Sequence, residues 1–210
     1  MKERGMDKLT FYTNPRSRGR IARWMLEEIG QPYETVVLDY GAPMRSPAYL
    51  ELNPMGKVPT VTHGPRVITE TAAICAYLAD AFPEAGLLPA NRASYYRWLF
   101  FAAGPFEAAV IDRALGLQIP PERTVMVGYG DFDRTIATLE QAVSASPFIA
   151  GESFSAADVQ VGLQIGWGLE FGTIPDRPAF RAYWKRLKDR PALLRANALD
   201  DALARGSADA

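Results

Sequence analysis

Asn53-Pro54-Met55-Gly56-Lys57-Val58-Pro59-Thr60-Val61, followed within ten residues by Thr69-Glu70-Thr71, carries the residue types and spacing best suited to holding a ligand. Pro59 interrupts an alternating apolar run. A proline has no N–H to give a ladder, so Val58-Pro59 belongs at a sheet edge or a special turn rather than in a central strand. Glu70 falls at the start of the helical run Thr71 to Leu78, where backbone amides are unpaired and an anionic group can be held. An exposed backbone edge and a helix N-terminus therefore lie side by side. Lys57 adds a cation directly before Val58, and Arg16, Arg18 and Arg20 cluster at an earlier turn, where they suit either carboxylates or a solvated face.

The elements that must position these groups follow from pattern. Lys8 to Thr13 has the β-branched and aromatic content of a first strand, which Asn14-Pro15 ends. Ile21, Trp24, Met25, Leu26 and Ile29 recur at helical spacing, with Gly30 suited to the C-terminal cap. Tyr33 to Leu38 reads as a second strand, parallel to the first across a right-handed crossover. Val58 to Thr62 and Arg66 to Thr69 flank His63-Gly64-Pro65 as a hairpin, and a helix from Thr71 to about Phe82 completes an α/β unit.

Pro83-Glu84-Ala85-Gly86 and Pro89 to Asn91 break the pattern, and helical signals dominate beyond them. Helices are predicted over 93–117 with a kink at Gly104-Pro105, and over 131–145, 156–170, 179–188 and 192–204. Residues 1–6 read as a flexible leader, 7–83 as the α/β domain, 84–91 as a linker, 92–205 as an all-helical domain and 206–210 as a flexible tail. Ser155-Ala156-Ala157-Asp158 is a capping box flanked by Phe154 and Val159 at the hydrophobic-staple positions.

Val58-Pro59 with Glu70-Thr71, the Ser155-x-x-Asp158 box, and Tyr183-Trp184-Lys185-Arg186 before Arg190-Pro191-Ala192 together resemble the glutathione transferase family over nearly the whole chain. That resemblance implies a thioredoxin-like α/β N-terminal domain followed by an all-α C-terminal domain. It implies a cis Pro59, with Val58 hydrogen-bonding the cysteinyl backbone of glutathione. Glu70 and Thr71 would grip the γ-glutamyl end, Thr71 keeping the hydroxyl where the family more often has Ser; Lys57, directly before Val58, suits either the glycyl carboxylate or an exposed loop position. Glutathione is the implied cosubstrate, a small hydrophobic electrophile the partner, and a homodimer the implied assembly.

Conjugation requires a thiolate, and a thiol of pKa about 8.5 is mostly protonated at neutral pH. A hydroxyl at a helix N-terminus can stabilise that anion, and Ser17, at the turn before the first helix, is the leading candidate. Ser17 also suits a plain N-cap, which would contribute about 1 kcal/mol. Asn14, Thr13 and Tyr12 stay open as sulfur partners. Asn14 also keeps open glutathione-dependent disulfide reduction, a variant found among relatives of the family. The same two-domain fold serves elsewhere as an interaction module, but retention of Glu70-Thr71 and Val58-Pro59 speaks against that. The Ser-Ser-Cys opening usual for the family's isomerases is absent.

The bulk composition agrees. Twenty-three basic and 24 acidic residues are interspersed for a net charge of −1, leaving no electrostatic footprint for nucleic acid or an anionic membrane. No run approaches the roughly eighteen apolar residues of a membrane span, and the N-terminus lacks a signal-peptide core. The single cysteine, Cys75, fits a reducing, cytoplasmic setting and reads as a core residue. The single histidine, His63, has no ligand cluster around it, and no metal is expected.

Overall fold

A computed structural model describes residues 7–206. The leader expected over 1–6 lies outside the described residues, as does the tail expected over 206–210 except for Gly206, which is the last residue of the final helix. The chain forms two compact units, one from the N-terminal residues to Ala85 plus the segment from Pro191, the other from Gly86 to Arg190.

The first unit contains β1 (Leu9–Thr13), α1 (Gly19–Ile29), β2 (Tyr33–Val37), α2 (Pro47–Leu52), β3 (Thr60–His63), β4 (Arg66–Thr69) and α3 (Thr71–Ala81). The sheet order is β2-β1-β3-β4. Strand β1 pairs parallel with β2 and antiparallel with β3, and β3 pairs antiparallel with β4. In β1 the alternation buries Leu9, Phe11 and Thr13, as period two requires of a half-covered sheet. Helix α1 buries Ile21, Trp24, Met25 and Ile29, and ends where Gly30 takes φ 66 and returns its N–H to the Leu26 carbonyl. Val58-Pro59 is cis, as the family resemblance implies. Strand β3 begins at Thr60, two residues later than the pattern predicts, because Pro59 offers no donor to the ladder.

Helix α2 is an element the sequence reading did not anticipate. Its signal is present: Ser46 is the N-cap and Pro47 the first helical residue. Its Tyr49 hydroxyl donates to the Lys57 carbonyl at 2.6 Å and lies 2.9 Å from Thr60 Oγ1. Asn53 Nδ2 donates to the same carbonyl at 2.7 Å, so the loop before Pro59 is held from behind.

The second unit holds α4 (Arg92–Phe101), α5 (Glu107–Ala114), α6 (Phe132–Ala145), α7 (Ala156–Glu170) and α8 (Pro178–Leu187). The kink predicted at Gly104-Pro105 takes the form of a π-helical segment, Ala102–Phe106, between α4 and α5. Pro105 cannot donate to the preceding turn, and the wider turn accommodates it. The capping box at α7 is present. The Asp158 carboxylate accepts the Ser155 N–H and hydroxyl at 2.9 and 2.8 Å, the Ile149 N–H at 2.8 Å and the Tyr183 hydroxyl at 2.7 Å. Burial pushes this carboxyl above the ordinary aspartate value against the pull of those four donors. Gly166 lets α8 close on α7: a Cβ there would lie 2.7 Å from the Trp184 ring.

The last helix, α9 (Pro191–Gly206), corrects the expectation of a 92–205 helical domain, because it belongs to the first unit and packs along α1. The reason is electrostatic as well as apolar. Arg23 of α1 and Asp200 of α9 are 2% and 1% exposed and paired at 2.7 Å. Arg23 also donates to the Tyr33 hydroxyl at 3.1 Å, and that hydroxyl donates to Glu27 at 2.7 Å. Burial and the Glu27 bond push Tyr33 up to about 12. Periodicity along α9 alone could not say which unit would receive its apolar face.

Candidate functional site

Sheet register brings the predicted residues to one end of the first unit. Tyr12 pairs with Thr60, and Thr60 pairs with Thr69. One residue further along each strand, the end of β1, the Val58-Pro59 loop and Glu70 meet at the same edge. Helices α1 and α3 both begin there, at Gly19 and Thr71, so two positive helix ends converge on the region.

Glu70 is the most unusual residue in it. It has φ 67 and ψ 124 and is the only non-glycine residue with positive φ among the described residues. A non-glycine side chain held there costs on the order of 1–3 kcal/mol, and such outliers concentrate at binding sites. Its side chain is exposed and does not cap α3. Its carbonyl instead takes the Ile74 N–H at 2.8 Å, which starts the helix. The carboxylate and the first amides of α3 are thus left facing outward. Thr71 beside it is half-buried.

Val58 is half-buried and precedes the cis bond. Among the described residues its backbone forms no hydrogen bond outside regular elements, which leaves an extended edge available to a peptide-like ligand. Lys57 is exposed, its carbonyl anchored by Tyr49 and Asn53 while its side chain projects from the loop.

The turn between β1 and α1 is densely bonded. Asn14 is buried; its Nδ2 donates to the Leu38 carbonyl and its Oδ1 accepts the Arg16 N–H, both at 3.0 Å. Ser17 is half-buried, its hydroxyl donating to the Asn14 carbonyl at 2.7 Å and accepting the Gly19 N–H at 2.9 Å. The N-cap of α1 is Arg18 rather than the expected Ser17, and no side chain caps the helix; the Ser17 hydroxyl instead closes the turn just before it. A hydroxyl has one proton, so donation to a ligand requires that proton to turn away from the Asn14 carbonyl. Thr13 is fully buried with its hydroxyl against Gly19, where a Cβ would come within 2.0 Å of Thr13 Oγ1. Tyr12 is half-buried and its ring lies against Tyr49 at 5.7 Å.

Arg16 and Arg20 of the clustered arginines reach partners far along the chain. Arg20 Nε donates to the Pro15 carbonyl at 2.6 Å and Nη2 to Asp201 at 2.7 Å. Arg16 Nη2 reaches the Ala204 carbonyl at 3.4 Å. Sequence reasoning missed Asp201 and Ala204 as partners because they lie over 180 residues away. Cys75 is a buried free thiol whose pKa burial raises. His63 Nδ1 lies 2.8 Å from the Tyr77 hydroxyl. Among the described residues no group of three or more His, Cys, Asp or Glu side chains is arranged to hold a metal, and no helix is long and apolar enough to cross a membrane.

Residues 17–81 match the family model for the glutathione S-transferase N-terminal domain. Glutathione S-transferase GST-4.5 of Xanthomonas campestris pv. campestris is 28% identical over 207 residues, covering 91% of this chain and 100% of that protein. Glutathione S-transferase A of Pleuronectes platessa is 27% identical over 161 residues, covering 71% of this chain and 72% of that protein. The theta class glutathione S-transferase of Xanthomonas axonopodis pv. citri, solved with glutathione bound, superposes with a TM-score of 0.69 at 28% identity, covering 91% of this chain and 97% of that one. A sphingomonad glutathione S-transferase complexed with glutathione gives a TM-score of 0.73 at 26% identity over 91% and 98%.

Proposed function

We propose that the chain is a member of the glutathione transferase family, and that the end of its sheet binds reduced glutathione and holds the thiol as a thiolate for attack on a small hydrophobic electrophile. The observation that carries this reading is Glu70: a carboxylate with no side-chain partner among the described residues, on a strained backbone at a helix N-terminus it does not cap, beside the cis Val58-Pro59 edge.

The chemistry of each residue fits one part of the tripeptide. The Glu70 carboxylate accepts from the α-ammonium of the γ-glutamyl group, while Thr71 and the first amides of α3 take its α-carboxylate. The Val58 backbone pairs with the cysteinyl backbone, with Pro59 fixing the edge. Lys57 faces the glycyl carboxylate. The thiol then reaches the α1 N-terminus, where the Ser17 hydroxyl donates to sulfur, Asn14 holds the turn, and the helix dipole favours the anion. The thiolate lone pair forms the new bond to the electrophilic carbon. A leaving group departs with its electron pair, or a conjugated double bond takes up the electrons and a proton. Orientation and anion stabilisation supply the rate gain.

This reading makes the protein a glutathione S-transferase that works as a homodimer in cytoplasmic detoxification, with family likeness as the support for assembly, location and role. Calorimetric titration with reduced glutathione, alongside Glu70→Ala, tests the site. The parent should saturate, and the variant should lose about 1.5–3 kcal/mol, roughly 10- to 150-fold in affinity. Equal affinities would remove Glu70 from the site, and no binding by either protein would favour an interaction module.

A further inference from the structure

We propose that the C-terminal helix is a positioning brace for the thiol turn, acting through the relay Asp201 to Arg20 to the Pro15 carbonyl. The proposal rests on the assignment of Ser17 and its turn as the thiol site and extends it to residues at the other end of the chain.

The relay is geometrically specific. Arg20 sits in the first turn of α1 and uses two different nitrogens, Nε to the Pro15 carbonyl at 2.6 Å and Nη2 to Asp201 Oδ1 at 2.7 Å. A planar guanidinium can bridge two acceptors in fixed directions, which an ammonium cannot. The Pro15 carbonyl lies between Asn14, whose own carbonyl receives the Ser17 hydroxyl, and Arg16, whose N–H is held by Asn14 Oδ1. Moving Pro15 therefore moves the group that sets the Ser17 hydroxyl. A second link runs in parallel: Arg16 Nη2 reaches the Ala204 carbonyl, in the last turn of α9, where the helix end is negative. One turn along α1, the buried Arg23–Asp200 pair fixes the rotation of α9, so that Asp201 faces Arg20.

An exposed ion pair by itself contributes little to stability, and Asp201 is half exposed. The relay's effect is expected on catalysis instead, because small displacements of a reacting group carry large kinetic consequences.

The test compares Arg20→Gln and Asp201→Ala with the parent. Three readouts are needed: glutathione binding by calorimetry, the pH profile of kcat/KM with an activated aryl halide, and amide hydrogen exchange at Ser17 and Gly19. Expected are a fall of about tenfold in kcat with glutathione affinity within about twofold, and an acidic limb moved to higher pH in both variants. Amide exchange at Ser17 and Gly19 should also be faster in both.

The two variants remove opposite charges. Opposite movements of the acidic limb would mean that Arg20 and Asp201 act only through the field, and would overturn the brace. So would a lowered melting temperature with unchanged kcat, pH profile and exchange. If the parent binds no glutathione, the thiol-site assignment fails and the catalytic role falls with it. Exchange at Ser17 and Gly19 still reports separately whether α9 holds the turn.

Discussion

At the scale of single residues, the site combines a strained backbone with side chains left outward-facing. Replacing Glu70 by Gly and by Ala separates the two contributions. Both lose the carboxylate and should bind glutathione equally poorly. Only Gly accepts φ 67 without a steric cost, so Glu70→Gly should be about 1 kcal/mol more stable than Glu70→Ala in urea unfolding. Equal stabilities would mean that the surroundings do not strain this position. Ser17 presents the complementary case. Its hydroxyl is already satisfied within the turn, so Ser17→Ala removes both the turn's side-chain hydrogen bonds and the candidate thiolate donor. Turnover should fall more than glutathione affinity, and kinetics matching the parent would shift the role to Asn14 or Tyr12.

At the scale of elements, the start of α7 shows how local sequence and a distant partner combine. The box itself is local chemistry, legible in Ser155 and Asp158, while Tyr183 of α8 completes the carboxylate's shell at 2.7 Å. Tyr183→Phe should cost about 1.5–3 kcal/mol at neutral pH, as expected for a hydrogen bond to a charged group. The pH dependence has a definite sign. The folded-state pKa of Asp158 is raised above its ordinary 3.8 by burial, so its contribution to stability is fullest below that value and declines as pH rises through the folded pKa. Loss of a donor to the charged form raises the folded pKa further. The deficit of Tyr183→Phe should therefore be greatest near neutrality and shrink on acidification, measurable by denaturant midpoints across pH. A deficit that grows in acid would contradict an ionised Asp158 in the native state.

At the scale of the molecule, the chain closes on itself: α9, more than 160 residues after α1, returns to the first unit. The Arg23–Asp200 pair is the buried part of that closure. Burial raises the Asp200 carboxyl while the Arg23 charge opposes it. Asp200→Ala would leave a guanidinium buried without its counter-charge, a change that typically costs about 3–5 kcal/mol. Loss of cooperativity or early release of α9, seen as rapid hydrogen exchange confined to 191–206 and α1, is the expected signature. A variant with the parent's midpoint would show that α9 is held by its apolar face alone.

What the sequence determined by itself is what depends on near neighbours. The strands and most helices were legible because their periodicity is local, and the capping box, Gly30 and the Gly64-Pro65 turn carry their conformations in residue type. The pairing of Val58-Pro59 with Glu70-Thr71 was legible too, since one short hairpin separates them. Helix α2 escaped only because six residues hold too little periodicity, although Ser46-Pro47 marks its start. Tertiary structure alone decided the rest. It gave Arg16 and Arg20 partners on α9, assigned α9 to the first unit, and set Glu70 at a positive φ that its residue type does not favour. The arginine partners and the place of α9 are fixed by contacts between residues far apart in the chain, and a one-dimensional pattern carries no record of which distant surface will meet them.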